Sequence, residues 1–304
     1  MKKISILVLI LFASFESHAC DICGCVNGGS FFGILPQGHM QFAGIRYRQN
    51  SFDSHIGSTL LEAQEIFRTT ELWARLYPLP KVQLMAFLPY QQNEQNRFYD
   101  DFKARLEGVG DAQVLLHYNL LNTFVDTTRL HQQWNHQLMA GFGVKAPLGD
   151  YQYDQYDVAE VANANFQLGT GSWDVPLNLI YTLKKHDNGL NINLMYNING
   201  TNANGYHFAN QTLLSLLAFR SEYIGNANLV ISTGTNSEIK GQDLVNGERN
   251  EFTGGWYING VAGVDLYWKK FGLSVNGQLP IVQNLSNQEL KLNQGFTVSL
   301  SRTF

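Results

Sequence analysis

From about residue 40 onward the chain repeatedly alternates apolar and polar positions with a period of two. Val82, Leu84, Ala86, Leu88 and Tyr90 share one face, with Gln83 and Gln91 on the other. Ala112, Val114, Leu116, Tyr118 and Leu120 alternate with Asp111, Gln113, His117 and Asn119. The same holds for Trp173, Val175, Leu177, Leu179 and Tyr181, for Leu190 to Ile198, and for Trp256 to Trp268. Successive side chains of a strand point to opposite faces, so each run predicts a strand with one apolar and one polar side.

Strand starts are expected near Met40, Ile66, Val82, Val109, Asn135, Ser172, Leu190, Phe208, Leu229, Gly255, Gly272 and Gln294. Short turns fall at Tyr77 to Pro80, Lys185 to Gly189 and Lys269 to Phe271. Longer polar loops fall at Asn93 to Gly108, Asp150 to Gly171 and Glu238 to Gly254. The stretch Asn122 to Gln133 is a longer connection at the short-turn end.

Two features separate this pattern from a soluble sandwich. Apolar faces end in Tyr90, Trp173, Tyr181 and Trp268, as the aromatic girdles of a membrane barrel do. Polar faces carry Asn, Asp, Gln and His in numbers that a dry core would leave unpaired. The last strand, Gln294 to Phe304, sets Phe296, Val298, Leu300 and Phe304 on one face, with Arg302 the one exception. Such an ending is the signal that the barrel-assembly machinery reads. The pattern therefore predicts an all-β fold: a transmembrane antiparallel β-barrel of roughly twelve strands with both termini periplasmic, in contact with outer-membrane lipid.

Composition agrees. There are 14 Tyr, 19 Phe and 28 Gly against 15% charged residues, and the two faces cancel to a mean hydropathy of −0.17. A net charge of −4 is too mild to point to nucleic acid.

At the N-terminus, Lys2 and Lys3 precede the apolar run Ile4 to Ala13 and the small-x-small site Ser17-His18-Ala19. That run is too short for a membrane helix of about 20 residues. Residues 1–19 read as a signal peptide, with an uncleaved anchor the alternative. Residues 20–37 form a Cys- and Gly-rich segment, either a plug or a periplasmic arm, and 38–304 form the barrel.

Charged residues on the polar faces are candidates to line the lumen: Arg46, Arg48, Glu71, Arg75, Asp111, His117, Lys145 and Asp174. Arginine facing lipid at mid-membrane costs about 2–4 kcal/mol, so these side chains are expected to turn inward. Facing charges would pair and narrow the lumen.

The three cysteines fall together as Cys20, Cys23 and Cys25. Three soft sulfurs suit Cu(I), and Zn(II) would take a fourth ligand such as His39. A disulfide with one free thiol, or lipidation of Cys20, explains them equally simply.

Several stretches resemble a known family. They are Leu88-Pro89-Tyr90, Gly108-Val109-Gly110-Asp111, Gly143 to Tyr151, Gly169-Thr170-Gly171-Ser172-Trp173-Asp174 and Leu279 to Leu285. In order and spacing they are similar to the outer-membrane family labelled as phenol-degradation meta-pathway transporters, over most of the mature chain. The resemblance implies a channel or transporter-like barrel for a small solute. The cysteine segment resembles N-terminal segments on related barrels of Bacteroidetes type, which implies a link to copper handling. Physically, the Gly-x-Gly pairs relieve crowding where the sheet bends, and Asp111 and Asp174 suit turn caps or the lumen rim.

No catalytic signature is present. His117 has no Ser two residues on, and no nucleophile elbow, His-Glu-x-x-His or phosphate loop occurs. The chain is expected not to be an enzyme.

Overall fold

The computed structural model describes residues 40–124, 134–152 and 164–304. Twelve barrel strands run in chain order: β1 (Phe42–Ser54), β2 (Ala63–Leu79), β3 (Val82–Arg97), β4 (two runs, Lys103–Val109 and Ala112–Asn122), β5 (Asn135–Ala146) and β6 (Val175–Lys185). They continue as β7 (Asn188–Ile198), β8 (Gln211–Ile224), β9 (Ala227–Lys240), β10 (Gly255–Trp268), β11 (Phe271–Leu285) and β12 (Leu290–Thr303). Sequence neighbours pair antiparallel, and β1 pairs with β12 to close the sheet.

The burial pattern is inside-out relative to a water-soluble protein. Leu72 is 58% exposed while its neighbour Glu71 is 7% exposed. Ile45, Phe142, Leu194, Ile231, Leu266 and Leu300 likewise face outward, and no helix among the described residues is long and apolar enough to cross a membrane. Two aromatic girdles bound this apolar band. Trp134, Trp268, Phe271 and Phe304 lie exposed near the short-turn end, where Lys185 covers the Trp134 ring at 4.9 Å and Lys269 covers Trp268 at 4.7 Å. Tyr90, Trp173 and Trp256 mark the other side, just beyond which Arg68 pairs with Glu94 at 2.8 Å. From Trp256 to Trp268, roughly a dozen residues at about 3.3 Å rise and about 40° tilt set the girdles ~30 Å apart, which matches a bilayer core. The chain is an outer-membrane β-barrel.

Hairpins alternate in length, as the sequence predicts. Tight turns with positive φ at His186, Gly225 and Lys269 join β6–β7, β8–β9 and β10–β11. Their mirror-image geometry suits the twist of the paired strands. Residues Gln41 and Phe304 meet at this end through a 3.2 Å backbone hydrogen bond, the end that faces the periplasm in barrels of this kind.

Several boundaries differ from the sequence reading. Asn93 to Gly108 is not a loop, because the β3–β4 ladder continues to Asn96↔Lys103. Leu88-Pro89-Tyr90 therefore sits mid-strand, and Gly110-Asp111 interrupts β4 instead of opening it. Leu279 to Leu285 belongs to β11. The polar stretch after Glu238 first completes β9 to Lys240 and then forms the small hairpin Leu244–Val245 with Glu248–Arg249. In each case hydrogen bonding continues where polar side chains had suggested a loop, since these strands extend past the lipid zone into water.

One stretch of wall lacks its ladder. β11 pairs with β12 as far as Gln278↔Gly295 and again at Leu285↔Leu290, but not between. Residues Leu279 to Asn284 still pair with β10, around a bulge beside Pro280. Proline has no N–H to donate, which favours the break. Leu279 and Ile281 face lipid there, on the bilayer side of Trp256.

Candidate functional site: the barrel lumen

Period two sends every second residue of each strand inward, and the lumen is the site they build. Arg46 and Glu71 stand opposite in the β1–β2 register and form a buried ion pair. The Arg46 guanidinium also lies 5.2 Å from the Trp73 ring and 5.6 Å from Phe87. Arg75 donates from Nε and Nη2 to the Met40 carbonyl at 3.1 and 2.9 Å and covers the Phe42 ring at 4.6 Å. These arginines are packed on aromatic faces and do not project into open water.

His117 is fully buried in a chain of side-chain hydrogen bonds. Tyr77 donates to Gln83 at 2.7 Å, and Gln83 Nε2 approaches His117 Nδ1 at 3.5 Å. His117 Nε2 meets Asn178 Oδ1 at 2.7 Å, so the imidazole proton sits on Nε2. Asn178 in turn donates to Asn193 at 2.7 Å. The chain crosses β2, β3, β4, β6 and β7. It consists mostly of amides, which hold their protons, so it stiffens the wall.

Lys145 occupies the third arrangement. Its ammonium bridges two carboxylates, Asp174 in direct contact and Asp111 at 3.5 Å, and donates to Thr170 Oγ1 at 3.1 Å. Asp111 accepts from the Gly149 and Thr170 amides at 3.1 and 2.8 Å. Asp174 accepts from Ser172 Oγ at 2.8 Å and the Gly200 amide at 2.9 Å. This explains the glycine-rich motifs. A Cβ on Gly149 would lie 2.6 Å from the Leu168 carbonyl, and one on Gly169 would lie 2.4 Å from Asp111 Oδ1. The two ends of the β5–β6 connection cross in backbone contact, and only glycine permits it.

Beside this anchor, residues 164–168 of the connection lie inside the barrel. Ala164–Phe166 form a buried 3-10 turn, and Asn93 Nδ2 donates to the Phe166 carbonyl at 2.7 Å. Phe166 packs with Phe52, Phe67, Tyr257, Leu285, Leu290 and Leu292 inside the long-loop end. A second apolar cluster, Phe42, Trp73, Met85, Phe87, Leu115, Met195 and Leu213, draws on β1 to β4 and on β7 and β8. Between the packed zones lies a cavity of about 90 Å³ lined by Arg48, Glu71, Asp111, Lys145, Asp174 and Lys240, among others. It is polar and roomy enough to admit several waters.

The eight candidate residues fall into two groups. Arg48, Glu71, Asp111, Lys145 and Asp174 come together at the cavity, while Arg46, Arg75 and His117 take up the separate packing arrangements above. Cys20, Cys23, Cys25 and His39 lie outside the described residues. Among the described residues, no group of three or more His, Cys, Asp or Glu is arranged to hold a metal.

Sequence reasoning missed two elements. One is the inward turn at 164–168, which had read as a polar loop. The other is Gln283. Its side-chain amide donates to the Leu292 carbonyl at 2.9 Å and accepts from the Leu292 amide at 2.7 Å. It thus supplies, across the unpaired β11–β12 seam, the two bonds that a backbone partner would make. A glutamine in an apolar strand near a proline was the available signal.

No family model and no curated protein matches the chain. Among solved structures it is similar to the COG4313 outer membrane channel from Pseudomonas putida F1, with 15% identity and a TM-score of 0.68 over 91% of this chain and 99% of that one. The Bordetella autotransporter BrkA β-domain follows at 10% identity and a TM-score of 0.47, covering 88% of this chain and all of that one. LpxR from Salmonella typhimurium stands at 9% and 0.37, over 85% of this chain and all of that one. The first likeness shows the fold, a closed antiparallel barrel of the outer-membrane type, and the other two are too weak to add to it.

Proposed function

We propose that this barrel is a passive channel for small solutes across the outer membrane. The observation that carries the reading is a lipid-compatible exterior around a polar internal cavity ringed by paired charges and amides. Arg46 neutralises Glu71, and Arg48 offsets the one excess negative charge of Lys145 with Asp111 and Asp174, which leaves little net field on the path, so the channel would favour small polar or neutral solutes over ions of either sign. The solved outer membrane channel supports this reading by its fold and by its description. Refolded protein in planar bilayers is expected to give small, reproducible single-channel steps. Conductance indistinguishable from protein-free lipid, together with no solute-driven swelling of vesicles, would sink the proposal. The reading includes no catalytic step.

A second route is favoured by the β11–β12 seam. A solute with an apolar body could leave the lumen sideways, between strands held there by the Gln283 side chain in place of a ladder.

The Cys20, Cys23 and Cys25 segment carries a separate reading, in which the barrel is the vehicle for a periplasmic metal-binding arm. Reduced mature protein would then bind one Cu(I) in competition with a chelator, and Cys23→Ser/Cys25→Ser would abolish that binding. Equal titrations would leave the cysteines to a disulfide or an anchor.

A further inference from the structure

Most inward carboxylates have an identifiable counter-charge. Glu71 has Arg46, Asp111 and Asp174 share Lys145, and Asp243 has Lys240 at 2.9 Å. Asp265 on β10 has none among the described residues. It faces inward between Val264 and Leu266, which face lipid, and is 1% exposed. One carboxylate oxygen accepts from Ser274 Oγ on β11, and the other, Oδ2, has no hydrogen-bond partner.

Its surroundings are rich in oxygen. Asn276 donates from Nδ2 to Ser274 Oγ at 3.0 Å, while its Oδ1, also buried, has no partner. Gly263, two residues before Asp265 on the same face, creates the space. A Cβ there would lie 1.9 Å from Asn276 Oδ1 and 2.9 Å from Ser232 Oγ on β9. Asn276 Oδ1 thus fills the place where any other residue would put its Cβ, with Ser232 Oγ, 3.5 Å from the Gly263 carbonyl, on the other side of the glycine. Asn276 also lines a small cavity of about 30 Å³ with Asn50, Asn236 and Gln278.

We propose that Asp265, Asn276, Ser274 and Ser232 bind a single monovalent cation, such as potassium or sodium, on the inner wall of β9, β10 and β11. A buried, unpaired carboxylate is unfavourable unless it takes up a proton or a counter-charge reaches it. Ionisable side chains at membrane depth point to a site for this reason. Ligand chemistry selects the ion. All the oxygens are hard, without the nitrogen or sulfur that transition metals prefer. One negative charge with neutral hydroxyls and an amide balances an alkali cation, whereas calcium sites gather several carboxylates.

Binding of this ion does not depend on the channel reading, and the test is made without a bilayer. Full-length mature protein, folded in detergent, is unfolded thermally at constant chloride and ionic strength while potassium replaces N-methyl-D-glucamine. A bound ion stabilises the folded state in proportion to its occupancy. The midpoint should rise saturably with potassium. Asp265→Asn, which keeps size and shape, should lose the rise, and Ser274→Ala should reduce it. Asp100→Asn, exposed in the β3–β4 turn, should keep it. Identical midpoints in the two salts for the wild type, or a full potassium response in Asp265→Asn, would overturn the site. A barrel that conducts nothing but responds to potassium would refute the channel reading and leave this one standing.

Discussion

Gln283→Met is expected to open the wall of the barrel while leaving its strands in place. Methionine matches glutamine in length but can form neither bond to Leu292, and Leu292 is 2% exposed. Each hydrogen bond contributes about 1 kcal/mol net, and each buried backbone group left without a partner costs about 1–3 kcal/mol. A local penalty of about 2–4 kcal/mol raises the open population of the seam by more than tenfold. Because β11 keeps its bonds to β10, and β12 keeps its bonds to β1, the barrel has no reason to unfold. Entry of a small uncharged aromatic probe into vesicles carrying the variant should therefore increase at least tenfold. An unchanged rate would show that solutes do not use the seam.

Lys145→Met is expected to be the most destabilising single substitution in the lumen. It leaves Asp174 and Asp111 buried side by side with no cation between them. Removing one partner of a buried ion pair costs about 3–5 kcal/mol, most of it the penalty on the charge left behind. The strain falls on the β5–β6 connection, whose ends Asp111 holds through the Gly149 and Thr170 amides. Release of the inward turn at Ala164–Phe166 should widen the lumen and raise single-channel conductance several-fold, and the urea midpoint in lipid should fall. Adding Asp111→Asn and Asp174→Asn to the variant should recover most of the stability, because the three residues act as one unit. Loss of stability without a change in conductance would mean that the inward turn does not limit the path.

The fold was legible because its cause is local. A strand between lipid and water must alternate, so Leu72 beside Glu71 and Val264 beside Asp265 declare their faces from two or three residues of context. The same logic located the short turns, the aromatic girdles and the last strand. Polar residues misled at the inward turn of 164–168 and where strands leave the membrane. Gln92, Glu94 and Glu107 look like loop residues, yet their backbones remain paired. Alternation no longer distinguishes two faces when both of them meet water.

Sequence alone determined the barrel class, a strand count of roughly twelve and the lipid-facing side of each strand, since these follow from period two and the chemistry of the bilayer. Only the tertiary structure decided what the polar-face charges do. Lys145, Asp111 and Asp174 are far apart in the chain and meet through register. Arg46 finds Glu71 because β1 and β2 pair as they do. Residues 164–168 lie inside the barrel beside the point where Gly149 and Gly169 let the chain cross itself. Gln283 becomes a latch only because β11 and β12 separate beside it. A pairing between distant residues depends on strand register and loop closure, and neither is encoded in the alternation of any one strand.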